Sequence, residues 1–275
     1  MYTSKWNIGI DLYRDRIQLV AAKRRRQYWH LCECWQQQLP FELTDNSSHE
    51  QHKILLDILL QWRQKLPKKC SVSFALPAVR TIKQQISLPS EIKLPQPELG
   101  WYLQSQAEKR FSMHAQELAI DYRVIKQQVY FNGARQSDIT FWQNLFTELL
   151  AIDVAPIALR YVARNAGLPD ECWVIHYRQG EWLWSGPVSQ PANYNHLQDT
   201  DIQTLYHLLP FLEQEDTSPT LPIYLITDHQ HIHRTAEIAH YWELRQAFQQ
   251  HNIKLPQLLG DFVIATGLAL RHGDI

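Results

Sequence analysis

Residues 7–24, NIGIDLYRDRIQLVAAKR, read as two strands joined by a tight turn. Apolar and acidic positions run Ile8, Ile10, Asp11, Leu12, then Ile17, Leu19, Val20 and Ala22. The turn between them is Tyr13-Arg14-Asp15. A strand turn that cradles phosphate is built from Gly with Ser or Thr, because phosphate oxygens must reach bare backbone N–H groups. Here a bulky ring and a carboxylate stand in that place.

Glycine usage points the same way. The chain has nine glycines, at 9, 100, 133, 167, 180, 186, 260, 267 and 273, with no Gly-Gly and no Gly-x-Gly. That excludes a Rossmann fingerprint, and no GxxxxGK[ST] P-loop occurs. The 275 residues suffice for one large bilobed unit or two domains, and 45% hydrophobic against 20% charged residues supports a sizeable core. A net charge of −1 gives no global field for nucleic acid. One local basic run, Lys23-Arg24-Arg25-Arg26, reads as a solvated strand end, with attraction to an anionic membrane surface as the alternative. The opening MYTSKWNIGID has no long apolar stretch and reads as lacking a signal peptide, and no apolar run is long enough to span a bilayer. Cys32, Cys34, Cys70 and Cys172 lack CxxC spacing, which predicts a reduced, cytosolic protein. Cys32 and Cys34 share a strand face, where a buried apolar role competes with a metal role.

Along the chain, Gln27–Trp35 reads as a third antiparallel strand, and His49–Lys65 as a helix with Ile54, Leu55, Ile58, Leu59 and Trp62 on one face. Strands follow at Cys70–Leu76 and Val79–Leu88. Pro89, Pro95 and Pro97 mark a connector. Next come a helix at Glu98–Phe111, a strand at Leu118–Lys126 with Gln128–Asn132 as its hairpin mate, and a helix capped by Ser137 and Asp138 and running to Leu150. A short buried strand is expected at Ile152–Ile157, then a helix from Pro156 to Asn165. In the second half, Cys172–Tyr177 and Glu181–Ser185 flank Arg178-Gln179-Gly180 as a hairpin. A helix at Ile202–Gln214, a strand at Pro222–Thr227 and helices at His233–Gln250 and Gly260–Leu270 complete the reading. Each half carries strands, a helix, a lone apolar strand and a helix, which predicts a duplicated α/β chain with mixed sheets covered by helices.

His229, His231 and His233 beside Asp228 could hold zinc from an extended loop; the competing reading is a polar junction with Thr227 or Asp228 as helix cap. Trp173, Trp182 and Trp184 fall on one hairpin and serve either core packing or an exposed partner platform. No Ser-His-Asp ordering and no HExxH occurs, and Glu148 and Asp153 suggest no shared catalytic site.

IGIDL at 8–12, SFALP at 73–77, ISLP at 86–89, IDY at 120–122 and GDFVIATGLAL at 260–270 resemble the PilM family of type IV pilus assembly proteins, in particular its HofM/ComA-like branch. The resemblance covers nearly the whole chain. It implies an actin-like, FtsA/PilM-type bilobed α/β fold, with a first lobe at 1–86 and 136–170, a small inserted subdomain at 87–135 and a second lobe at 171–275. In the family the first strand's aspartate helps hold magnesium near the phosphates, and Asp11 matches it. The Gly-Ser/Thr-Ser turn does not match Leu12-Tyr13-Arg14-Asp15. His176 and Tyr177 stand where a second phosphate hairpin opens with Asp and Gly, and Asp228-His229 stand where the adenosine loop has Gly-Gly. If ATP and magnesium are retained, the resemblance places them at Gly9, Asp11, Asp228 and Gly260. Asp11 reads first as a strand-end residue bonded to local backbone or to Arg14 or Arg16, and second as a surviving metal-site carboxylate.

The expectation is therefore a degenerate ATPase and not an enzyme, acting as the platform of a pilus or competence DNA-uptake machine, cytoplasmic and peripheral to the inner membrane. By resemblance its partner is the N-terminal cytosolic tail of a PilN-like inner-membrane protein, with a pilus or secretion ATPase as a further partner. The family's groove lies between the first lobe and the insert, with walls here at 79–88, 98–111 and 118–125. Leu88, Leu103, Ala107 and Phe111 are candidate pocket residues, interior packing being the alternative, and Glu108 and Asp121 could meet a basic side chain. An active Mg-ATPase and a nucleic-acid module are the competing classes, the latter opposed by 27 Lys+Arg against 28 Asp+Glu.

Overall fold

The computed structural model describes residues 5–42, 49–88, 95, 97–111, 113–114, 116–125, 127–178, 180–198, 205–215, 221–227, 238–251, 256 and 259–271. The chain divides into two compact units, Met1–Leu76 with Glu148–Ile275, and Pro77–Thr147.

In the larger unit, β1 (Trp6–Tyr13), β2 (Arg16–Arg25) and β3 (Tyr28–Gln38) form an antiparallel meander. Helix α1 (His49–Lys65) crosses to β4 (Cys70–Leu76), which lies parallel to β1. β8 (Leu149–Val154) lies parallel to β4, and β14 (Gln250–His251) parallel to β3. The sheet order is β14-β3-β2-β1-β4-β8. A second sheet repeats the plan. β9 (Trp173–Arg178), β10 (Glu181–Ser185) and β11 (Tyr194–Gln198) form the meander; β12 (Ile223–Ile226) runs parallel to β9 and β13 (His240–Tyr241) parallel to β12. Its order, β11-β10-β9-β12-β13, is the order of the first sheet without β14. The duplication read from element order is thus a duplication of topology.

Helices α4 (Ala155–Asn165) and α6 (Val263–Ala269) fill the interior of this unit. Close approach explains two glycines. A Cβ at Gly9 would overlap the Ala265 carbonyl on α6, and one at Gly267 would overlap the Ala158 carbonyl on α4. Buried Arg160 ties α4 to the second sheet by donating to the Cys172 carbonyl (2.6 Å), the Ser185 carbonyl (3.1 Å) and the Gly186 carbonyl. The second sheet's core takes in Trp173, Trp182 and Trp184, packed against Leu205, Leu208 and Leu212 of α5 (Leu205–Glu215). The tryptophans are core, not a platform, because Trp182 and Trp184 alternate onto the face that α5 covers.

The smaller unit is inserted between β4 and β8. It holds an antiparallel sheet of β5 (Thr81–Ser87), β7 (Gln128–Arg135) and β6 (Leu118–Ile125), in the order β5-β7-β6. Its helices are α2 (Glu98–Phe111) and α3 (Gln136–Leu145). Leu103, Ala107 and Phe111, each four apart on α2, bury one stripe against Ile86, Leu118, Val129 and Phe131. This unit begins ten residues earlier and ends twelve later than the insert expected at 87–135, because β5 pairs with β7.

Two expected helices differ. The one starting near Ser137 stops at Leu145, so Leu149 and Leu150 join β8 beside β4. Over 238–250 the structure has short strands and a 3-10 turn at Leu244–Ala247 instead of a helix. Free sheet edges explain this: Trp242 N–H donates to the Leu225 carbonyl (3.3 Å) and Gln249 N–H to the Trp29 carbonyl (3.2 Å). Residues 228–237 lie outside the described residues. Among the described residues, no helix is long and apolar enough to cross a membrane.

Candidate functional site

Two hairpins of the larger unit meet at the site. On β1, Gly9, Asp11 and Tyr13 alternate onto the face that α6 covers. On the β9–β10 hairpin, Arg178 and Glu181 are paired across the turn, with Gly180 at φ 80° supplying the left-handed residue. Arg178 donates through Nε to Glu181 at 2.8 Å and through Nη1 to the Asp11 carboxylate. Its guanidinium carbon lies 4.1 Å from the centroid of the Tyr13 ring. Asp11 and Glu181 are each 1% exposed and Arg178 is 5% exposed. Gln18, directly opposite Asp11 on β2, is buried on the same face.

One cation is therefore shared between two buried carboxylates. Burial pushes the Asp11 carboxyl above its usual range; Arg178 opposes the shift and Glu181 adds to it. Burial also works against the charge on Arg178, but Asp11 and Glu181 outweigh it and hold the guanidinium protonated. Burial likewise raises the Tyr13 hydroxyl, so the ring stays neutral. The arrangement commits one Asp11 oxygen, Oδ2, to a guanidinium, and places that cation where a magnesium ion bound to Asp11 would sit. A second buried carboxylate and a neutral ring surround that position, and neither attracts phosphate.

Asp11 thus pairs with neither Arg14 nor Arg16. Arg16 reaches Asp261 at 3.2 Å and fixes the 3-10 turn Gly260–Phe262 to the first hairpin. Arg14, at φ 52°, lies over Tyr13 at 5.5 Å. The Asp15 carboxylate turns away from the site and accepts from Gln38 at 2.8 Å. Gly9 serves helix packing, and Gly260 is buried at the entry to α6. His176 meets the Ile226 carbonyl through Nδ1 at 3.0 Å. Asp228, His229, His231 and His233 lie outside the described residues. Among the described residues, no group of three or more His, Cys, Asp or Glu side chains is placed to hold a metal. The thiols of Cys32 and Cys34 are raised by burial, Cys34 to about 12.

In the smaller unit, Leu103, Ala107 and Phe111 face inward as core, with Leu88 packed at their margin. All three are buried against Ile86, Leu118, Val129 and Phe131, which matches the interior-packing alternative. Glu108 sits on α2, whereas Asp121 is exposed and alternates with Ile120 and Tyr122, which point toward α2. The structure therefore sets these two acids in different layers. The residues that sequence reasoning missed are Arg178, Glu181 and Gln18. The signal for the first pair was available: opposite charges three apart across a glycine turn, flanked by apolar strands.

No protein-family model matches the chain, and no curated protein matches it. Solved structures do. One, solved as the PilM-PilN type IV pilus biogenesis complex, is similar with TM-score 0.67 and 18% identity, covering 96% of this chain and 97% of that one. Another is the cytoplasmic domain of EpsL, an inner membrane component of the type II secretion system of Vibrio cholerae (TM-score 0.60, 11% identity, 97% and 96% covered). A third is a Bacteroides thetaiotaomicron protein with actin-like ATPase fold (TM-score 0.50, 15% identity, 96% of each chain). The chain has the actin-like ATPase fold.

Proposed function

We propose that this protein is a PilM-like adaptor, standing on the cytoplasmic side of the inner membrane in a pilus, competence or secretion-type machine, and that it binds the N-terminal cytosolic tail of a PilN-like membrane protein. The observation that carries the reading is the likeness, over 96% of this chain, to a protein solved as a PilM-PilN complex. The HofM/ComA branch rests on the sequence resemblance alone.

The smaller unit is the proposed tail-binding body. Eight large hydrophobic side chains are exposed among the described residues, and four of them, Val79, Ile82, Trp101 and Val124, belong to this quarter of the chain. β5 is an edge strand of its sheet. An extended tail added there gains main-chain hydrogen bonds from the strand and side-chain contacts from Val79 and Ile82. The nucleotide chemistry is proposed to be lost. Support comes from Arg178 holding Asp11, the carboxylate a metal would need, and from Tyr13 in the turn.

Calorimetry with a synthetic PilN-like tail, with and without ATP and magnesium, tests both halves. Micromolar or tighter tail binding, indifferent to nucleotide, is expected. An absence of tail binding, together with ATP turnover that Asp11→Ala abolishes, would reverse the assignment in favour of an active Mg-ATPase.

A further inference from the structure

The end of the first sheet opposite the Tyr13–Arg16 turn carries a basic rim. There β1 begins, β2 ends, and β3 and β4 begin. Pairing places the residues side by side: Trp6 opposite Lys23 and Cys70, Arg24 opposite Trp29, and Arg25 opposite Tyr28. The Trp6 N–H donates to the Lys69 carbonyl at 3.3 Å, which brings Lys5 and Lys69 to the same level. Lys5, Arg24, Arg25, Arg26, Lys68 and Lys69 are exposed there, and the half-buried Lys23 extends its ammonium over Trp6, 6.0 Å from the ring centroid. These seven are a quarter of the 27 Lys and Arg, on a chain whose net charge is −1. The strand ends 5–6, 23–30 and 68–70 hold no Asp or Glu. Glu33 lies further along β3, and Glu148 is engaged by Arg63.

A second observation is conformational. Arg26 opens the two-residue turn between β2 and β3 at φ 57°. That position favours glycine, and an arginine there costs about 1–2 kcal/mol of backbone free energy. The turn keeps a cation at its tip at that cost, and such outliers gather where the side chain has work to do. Tyr28 beside it is 50% exposed and offers a ring with a polar tip, the side-chain type that sits at headgroup level in a bilayer.

We infer that this rim docks on an anionic lipid surface, Arg25 and Arg26 leading and Tyr28 settling among the headgroups. The exposed Tyr28 ring among the rim cations favours a bilayer over nucleic acid. With the seven rim cations set aside, the rest of the chain has 20 Lys and Arg against 28 Asp and Glu, so contact with an anionic surface is favoured at the rim alone. The inference stands apart from tail recognition, since none of the rim residues belongs to the smaller unit.

Co-sedimentation of the full chain with vesicles of pure phosphatidylcholine, and with vesicles containing phosphatidylglycerol, tests it. Binding is expected on the anionic vesicles alone, weakening as salt shortens the Debye length below about 10 Å. Each cation at the surface is worth about fivefold in partition. Arg26→Gly, which relaxes the turn, should therefore stay folded and bind about fivefold more weakly. Arg25→Glu with Arg26→Glu and Lys69→Glu should lose at least about 100-fold, while circular dichroism and tail calorimetry stay unchanged. Equal binding to neutral vesicles, indifference to the triple reversal, or displacement of the vesicles by duplex DNA would overturn the inference.

Discussion

Arg178 serves Asp11 and Glu181 at once, and all three are buried. Removing the cation alone leaves two carboxylates buried without a partner. Arg178→Met should therefore lower stability by about 3–5 kcal/mol. Replacing all three, Arg178→Met with Asp11→Asn and Glu181→Gln, should recover most of that loss, because amides carry no uncompensated charge. Urea unfolding midpoints of the two variants check this, and equal losses in both would refute the shared-cation account. The same cluster sets a pH dependence. The folded state keeps a proton on Asp11 at pH values where the unfolded carboxyl, at about 3.9, has released it. The folded state then binds more protons, so this contribution is full in acid and fades as pH rises from the ordinary carboxylate range through the raised folded value. Asp11→Asn should flatten the slope in that window, read as ΔG of unfolding against pH, with the wild-type chain losing more stability across it. At this scale the sequence revealed half the site. Asp11 and Tyr13 stood out beside a turn with the wrong residues for phosphate. Arg178 did not, because it lies 167 positions away and only the meeting of two hairpins brings it near.

Helix α6 rests on β1 and α4 through two places where a backbone, not a side chain, is the neighbour. Gly9→Ala and Gly267→Ala each drive a methyl into a helix carbonyl that cannot rotate away. Overpacking of this kind costs about 1–3 kcal/mol, and rigid backbone puts both at the upper end. Gly167 offers the contrast. Its φ of 81° strains any other residue, yet a methyl there meets open space. Gly167→Ala should cost about 1 kcal/mol and leave α6 undisturbed. Amide hydrogen exchange separates the cases: protection in α6 should fall in the first two variants and hold in the third. Elements with strong periodicity were legible, including the first meander, the β9–β10 hairpin and the Leu103-Ala107-Phe111 stripe, whereas β11, the third strand of the second meander, was not read. The stretch 238–250 was not. Its composition suits a helix, but unfilled edges beside β12 and β3 claim its N–H groups, and tertiary pairing outweighs local propensity there.

The two units differ in what each needs from the other. The larger one holds both sheets and the α4–α6 core, and its β4 and β8 pair directly, from Val72–Leu149 to Leu76–Val154. The smaller one enters between those strands and carries its own core around Phe131 and Leu103. The family resemblance implied an insert at 87–135 and the prolines a connector; the compact unit Pro77–Thr147 also takes in β5, which pairs with β7, a pairing that no local signal reveals. Excision follows from this geometry. Between Leu76 and Leu149 a parallel crossover must return the length of one short strand, about 17 Å, which roughly twelve Gly and Ser residues span with slack. With that linker in place of Pro77–Thr147, the larger unit should still unfold in one cooperative step, because its sheet pairing and the Arg63–Glu148 contact are untouched. The excised chain should lose binding to a PilN-like tail in calorimetry and keep its partition onto anionic vesicles. Undiminished tail binding would move the recognition surface out of the smaller unit. Loss of vesicle binding in a chain that still folds would tie the basic rim to the smaller unit after all.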